Sequence, residues 1–266
     1  MCYNIMNTFN YIKKEVFMGD IKSKSKRVGL LDELRGFAII CMVVYHAMYD
    51  LKYIFGVDVP IFFDGWFNII RDIFAGMFIF ISGTVCRFSR NNIKRGAQCF
   101  FLGMIITFVT PFFSSVPVTF GILHFLGISM MIFGLCEKIF DYIPALVGII
   151  VFALLFVLTW NVQDGFIGIG GLFEWYLPQK AYDVGVLFPF GMYNSSFASS
   201  DYFPLFPWLF LFLAGSSFGV WAKNGVLPKF FYPVHIKWLA AVGRNTIWIY
   251  LLHQPVVYLI FSLIFR

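Results

Sequence analysis

Seven apolar runs constrain this chain more than any other feature: about 30–51, 66–88, 97–116, 119–136, 143–160, 203–222 and 244–265. A bilayer's hydrocarbon core of about 30 Å takes roughly 20 residues of helix, the length of each run. The gaps between runs carry charges, Pro or Gly, as helix ends do. Composition removes the soluble alternative. The chain is 60% hydrophobic and 13% charged, with a mean hydropathy of +0.80. A water-soluble domain has about 45–50% apolar and about 25% charged residues. So few charges cannot cover a surface that faces water, which excludes cytosolic enzymes, nucleic-acid-binding modules and disordered tails. The fold class is an all-α polytopic membrane bundle of about seven helices. A basic segment, 1–28, precedes one membrane domain, 29–266, with no internal repeat. Five cysteines, an odd number and mostly within apolar runs, suit small buried hydrophobes and not a disulfide framework.

Charge placement orients the bundle. Fifteen of the twenty Lys and Arg residues fall before span 1, after spans 2, 4 and 6, or at the start of span 7. The other side carries eight acids, among them Asp50, Asp72, Asp164 and Asp201. The positive-inside rule then puts the N-terminus in the cytoplasm and the C-terminus outside. The net charge of +6 is mainly this orientation signal, so no nucleic-acid partner is expected. Span 1 begins with Asp32, Glu33 and Arg35 and lacks a small-residue cleavage site after it, so it is not a removable signal peptide. Met18 is an alternative start. Residues 161–202 are too polar to span, and FIGIGGLFEWYL (166–177) either lies at the interface or re-enters.

Ionisable groups inside a span are costly and mark functional positions. Arg35 and His46 are eleven residues apart. That is three turns, so they share one face about 16 Å apart. Asp32 and Asp50 extend the stripe, and His46 with Asp50 one turn on resembles a base and its orienting carboxylate. Asp72, near the outer start of span 2, is expected beside them. His124, early in span 4, and His253 with Gln254, mid-span in span 7, complete the candidate reaction centre; Pro255 should loosen that last helix. A packing histidine and a helix-ending Asp50 are the structural alternatives. No histidine pair has the i, i+3 or i, i+4 spacing of a helical metal site, so no metal is expected. On the inner side, Arg87, Arg90, Lys94 and Arg95 form a basic loop suited to the phosphates of a donor such as coenzyme A. Topology alone also accounts for that cluster. Arg244 and Asn245 open span 7 on the same side.

LDELRGFAIICMVVYH (31–46) and FIFISG (78–83) resemble the opening of the transmembrane acyltransferases. Within that group the chain is most similar to the heparan-alpha-glucosaminide N-acetyltransferase-like family of bacterial membrane proteins. RDIFAGMFIFISG (71–83), FGILHFLGIS (120–129), DYFPLFPWLFLFLAGSSFG (201–219) and GRNTIWIYLLHQP (243–255) carry the resemblance in order along the chain. It implies transfer of an acyl group, in the first instance acetyl, from cytoplasmic acyl-CoA to an amine or hydroxyl of an extracytoplasmic saccharide or envelope component. His46 would be the general base, or an acylated nucleophile. Arg35, Arg244, Asn245 and the loop bases would hold the donor, and Asp72, His124 and His253 would line the centre. One departure is plain: those enzymes carry a histidine in the loop before span 2, and PIFFDGW (60–66) has none.

The expected protein is thus a multi-pass acyltransferase of a bacterial inner or plasma membrane, with lipid and glycan as partners and homo-oligomerisation left open. A transporter or lipid-binding protein using the same polar stripe is the competing class.

Overall fold

The computed structural model describes residues 27–60, 65–112 and 116–265. Most of the basic segment and of PIFFDGW therefore lies outside the described residues. The elements in chain order are α1 (Gly29–Tyr53), α2 (Gly65–Cys86), α3 (Asn92–Val109), α4 (Ile122–Asp141), α5 (Ala145–Leu158), β1 (Phe166–Ile169), β2 (Phe173–Tyr176), α6 (Gln179–Asp183), α7 (Leu205–Lys223), α8 (Lys237–Arg244) and α9 (Thr246–Ile264). Among the described residues, seven helices are long and apolar enough to cross a membrane, and they coincide with the seven runs read from sequence. The chain is an all-α polytopic membrane protein with one two-stranded hairpin.

Helix ends follow local chemistry. The Asn91 side chain accepts from the Lys94 N–H at 2.8 Å and caps α3, while Pro144 and Pro204 precede α5 and α7. The N–H groups of His235 and Ile236, just ahead of α8, both donate to the buried Glu33 carboxylate of α1. A side chain from another helix thus satisfies orphan N–H groups at the helix start.

Packing centres on α7, which runs between α2 and α5. Close approach of α2 and α7 rests on Gly83 and Gly215: a Cβ at either would overlap a carbonyl of the facing helix, Phe212 or Phe80. Small residues let backbones meet where the hydrophobic effect cannot drive helices together. A second pair, α3 and α4, packs beside this seam. The core is aromatic, with Phe125, Phe133 and Phe212 fully buried.

The stretch 161–202 does not re-enter as a helix. It is a 3₁₀ turn (Trp160–Asp164), the β1–β2 hairpin and two further short turns. This forms a cap on the acidic side of the bundle, and its segment Ser199–Phe203 is drawn in against α4, with Phe203 N–H donating to Phe120 O at 3.0 Å. The helix α9 continues through Pro255.

Candidate functional site

Between the outer halves of α1 and α2, the start of α9 and the cap lies a cavity of about 630 Å³. His46 of α1 and Asp72 of α2 both line it. Beside Asp72, Arg71 donates from Nε to its Oδ1 at 2.9 Å and from Nη1 to the Tyr45 hydroxyl at 3.4 Å. The Arg71 guanidinium also sits 5.7 Å from the Tyr45 ring centroid. Asp72 is therefore half-neutralised and held in place, and its side chain remains 27% exposed on the cavity.

α9 runs alongside α1 in the same direction, with contacts at three levels. Arg35 Nη2 donates to Thr246 Oγ1 at 2.8 Å. His46 and His253 face each other with ring centroids 5.1 Å apart. Gln254 Nε2 donates to both oxygens of the fully buried Asp50, at 2.7 and 2.8 Å. The last contact corrects the expected His46–Asp50 pair: no hydrogen bond joins them. One turn apart on a helix, the short Asp side chain is met first by the longer Gln254 reaching across from α9. Asp50 locks α1 to α9 and does not orient the imidazole.

His253 stands where that orienting group was expected. Its Nδ1 lies 2.7 Å from the Tyr250 carbonyl. A carbonyl only accepts, so Nδ1 carries the proton and Nε2 keeps a bare lone pair. That Nε2 is buried without a partner among the described residues.

His124 is placed differently from expectation. It is 2% exposed, sandwiched between the stacked Phe120 and the edge-on Phe100, and its Nε2 lies 3.2 Å from Thr107 Oγ1. Gly103 of α3 makes room for the ring. It belongs to the α3–α4 seam and is not among the cavity's lining residues; its neighbour Ile122 is.

The cap supplies what sequence reasoning did not select. Asp201 lines the cavity, and its Oδ2 accepts from the Ile122 N–H at 3.0 Å and the Tyr250 hydroxyl at 2.9 Å. Burial pushes its carboxyl above the usual range, an effect those two bonds oppose. Gln163, Asp164, Tyr193 and Ser200 complete the polar side, and Trp160 and Trp208 give aromatic walls. The available signal was the run of acids on the outer side, which included Asp164 and Asp201. Nothing in the spacing tells which loop acids fold inward.

At the inner end, Arg87 departs from its expected role. Its side chain is 4% exposed, ion-paired with Asp141, bonded to Ser216 O at 3.0 Å and set over Phe133. Its charge is spent joining α2 to α4 and α7. Arg90, Lys94, Arg95 and Arg244 are exposed. Asn245 donates to Ala241 O at 2.9 Å. Arg35 retains a buried Nε without a partner among the described residues and lies 6.0 Å from the ring of Phe78, a lining residue of the cavity. Asp32 pairs with Arg27 at 2.6 Å instead of with Arg35. Among the described residues, no group of three or more His, Cys, Asp or Glu is arranged to hold a metal ion.

The arrangement combines an imidazole open to a cavity, carboxyl groups able to accept from hydroxyl or amine groups, and aromatic walls. That set suits a saccharide-like acceptor and proton transfer from it. A family model described as "Heparan-alpha-glucosaminide N-acetyltransferase, catalytic" matches residues 27–255. No curated protein and no solved structure matches the chain.

Proposed function

Taking as premise that the chain belongs to the heparan-alpha-glucosaminide N-acetyltransferase catalytic family, and so is a membrane acyltransferase, we propose that it carries an acetyl group from acetyl-CoA on the cytoplasmic side to an extracytoplasmic saccharide or envelope amine or hydroxyl, in a bacterial inner or plasma membrane. Members of that family in general use acetyl-CoA as donor. The observation that carries the reading is His46, without a hydrogen bond among the described residues and lining the same cavity as Asp72 and Asp201.

Direct transfer in a ternary complex is the simplest chemistry. The acceptor's N–H or O–H gives its proton to His46 as its lone pair attacks the thioester carbonyl. The tetrahedral intermediate collapses, the C–S bond breaks, and the leaving thiolate takes the proton back from the imidazolium. His253 Nε2, bare and one ring away, accepts a hydrogen bond from the protonated His46 and so takes over the role expected of Asp50. Asp72 and Asp201 hold the acceptor. The donor's phosphates fall to Arg35, with its free Nε, and to Arg90, Lys94, Arg95 and Arg244; Asn245 offers an amide contact. Arg87 is removed from that set by its own bonds.

The test is acetyl transfer from labelled acetyl-CoA to pooled envelope glycans by purified protein. His46→Ala and His46→Gln should lose about 100-fold or more, the scale of general-base catalysis. Near-wild-type transfer by either variant overturns the assignment. Label trapped on His46 without acceptor would replace direct transfer by a two-step route.

A further inference from the structure

Burial changes abruptly midway along α1 and α2. The inner half of α1 buries Leu31, Gly36, Ala38 and Ile39, and the inner half of α2 buries Gly76, Ile79, Gly83 and Thr84. From residue 40 to 49 of α1, and from 65 to 75 of α2, no residue is buried. The cavity lies between these poorly buried stretches, a parting bridged by Tyr45 of α1, which stacks on Phe67 of α2 with ring centroids 5.7 Å apart and accepts from Arg71 Nη1. Its wall there is apolar: Ile40 and Val44 from α1, Ile70 and Phe74 from α2. Val44 lines the cavity and is 52% exposed. These residues lie within spans, where outside means hydrocarbon and not water. The polar groups, His46, Asp72 and Asp201, occupy the same cavity, and the cap from Trp160 to Asp164 and from Ser199 to Phe203 walls it on the aqueous side. A cavity with a polar interior and an apolar side opening fits a molecule with the same two ends.

We infer that the acceptor is an amphiphile of the outer leaflet: a saccharide head in the cavity, and a hydrocarbon tail leaving between the outer halves of α1 and α2. This rests on the acceptor reading given above and narrows it from glycans at large to lipid-linked ones. A hydrated, tail-less glycan gains nothing from the Ile40–Val44 and Ile70–Phe74 walls. A tail does, because it stays in apolar surroundings while the head is held at the imidazole.

The experiment uses the full chain in lipid nanodiscs and dodecyl glucosaminide bearing a diazirine in its tail. On illumination, label should fall on α1 residues 40–46 and α2 residues 67–74. Unlabelled dodecyl glucosaminide should reduce that label by about tenfold while dodecanol leaves it, since the head must be recognised for the tail to lodge. Val44→Trp, at a lipid-facing position that tolerates bulk, should close the opening and lower the label comparably. Label that dodecanol competes equally, or that spreads alike over the lipid faces of α3 and α5, overturns the inference. So does efficient crosslinking between copies through Val44→Cys, which would mean that a second chain fills the parting. None of these readouts needs turnover. If the glycolipid labels the opening but acetyl-CoA acetylates no acceptor, the catalytic reading fails and the lateral site stands. If methyl and dodecyl glucosaminide are acetylated with equal KM and labelling is unspecific, the lateral site fails and catalysis stands.

Discussion

The inner and outer halves of α1 both carry ionisable groups, but they spend them differently. In the inner half Asp32 holds Arg27, Glu33 holds two N–H groups ahead of α8, and Arg35 holds Thr246. In the outer half Asp50 is spent in the same way on Gln254, while His46 one turn earlier has no hydrogen bond among the described residues and lines the cavity. Polar groups in lipid are expensive, so a fold satisfies those it uses for assembly and leaves bare those it uses for chemistry. Two arginines of the inner side repeat the contrast: Arg87 bonds to Asp141 and the Ser216 carbonyl, while Arg35 keeps a buried Nε with no partner among the described residues.

If that division holds, substitutions in the inner half should cost assembly and those in the outer half should cost turnover. The largest effect is expected at the α2–α7 seam. Gly83→Leu sets a side chain against the Phe212 carbonyl, and overpacking of this kind against rigid backbone exceeds the usual 1–3 kcal/mol. No monodisperse protein should be recovered by size-exclusion chromatography. Next comes His46→Ala, with transfer down by about 10²–10⁴-fold and an unchanged melting temperature. A matching loss of stability would erase the distinction between the halves.

Arg87→Gln and Glu33→Ala should each cost about 1–3 kcal/mol, because each leaves buried groups without a partner. Thermal melts read the loss, and acetyl-CoA affinity per folded molecule should stay the same. Replacing Arg90, Lys94 and Arg95 together by Gln should do the reverse, raising the KM for donor with little change in melting temperature.

The smallest effect concerns Asp201. Its carboxyl is raised in the folded protein by burial, so the folded state favours the protonated form. That contribution is present below the unfolded value and is lost as pH rises through the folded one. Asp201→Asn keeps an acceptor for Ile122 N–H and Tyr250 OH and removes the charge. Its melting temperature should therefore gain on wild type as pH increases and match it in acid. A gap that is constant across pH would show that Asp201 titrates as it would in water.

Much of the fold was legible in the sequence. Apolar runs of bilayer length, with Pro, Gly and charge between them, marked every long helix, because lipid leaves helices little alternative. The site was legible in part. Periodicity put Arg35, His46 and Asp50 on one face, and the structure keeps that face directed at α9. It could not say that Gln254 reaches Asp50 before His46 does, since that depends on how two helices are staggered. For the same reason His124 read as a site residue: a lone histidine near an outer helix end gives no sign that Phe120 and Phe100 enclose it. Asp201 was hidden in the opposite way, as one outer acid among eight.

By itself the sequence determined that the chain lives in a membrane, how many times it crosses, which end its basic loops favour, and that polar groups on α1 need an explanation. These follow from one-dimensional quantities: length, hydropathy and charge order. Only the tertiary structure decided which of those groups are consumed by partners. It also decided that the outer halves of α1 and α2 bury no residue from 40 to 49 and from 65 to 75, and that the polar cap folds inward to line the cavity. Those outcomes depend on helix stagger and close backbone approach, which arise between segments far apart in the chain and leave no periodic trace in any one of them.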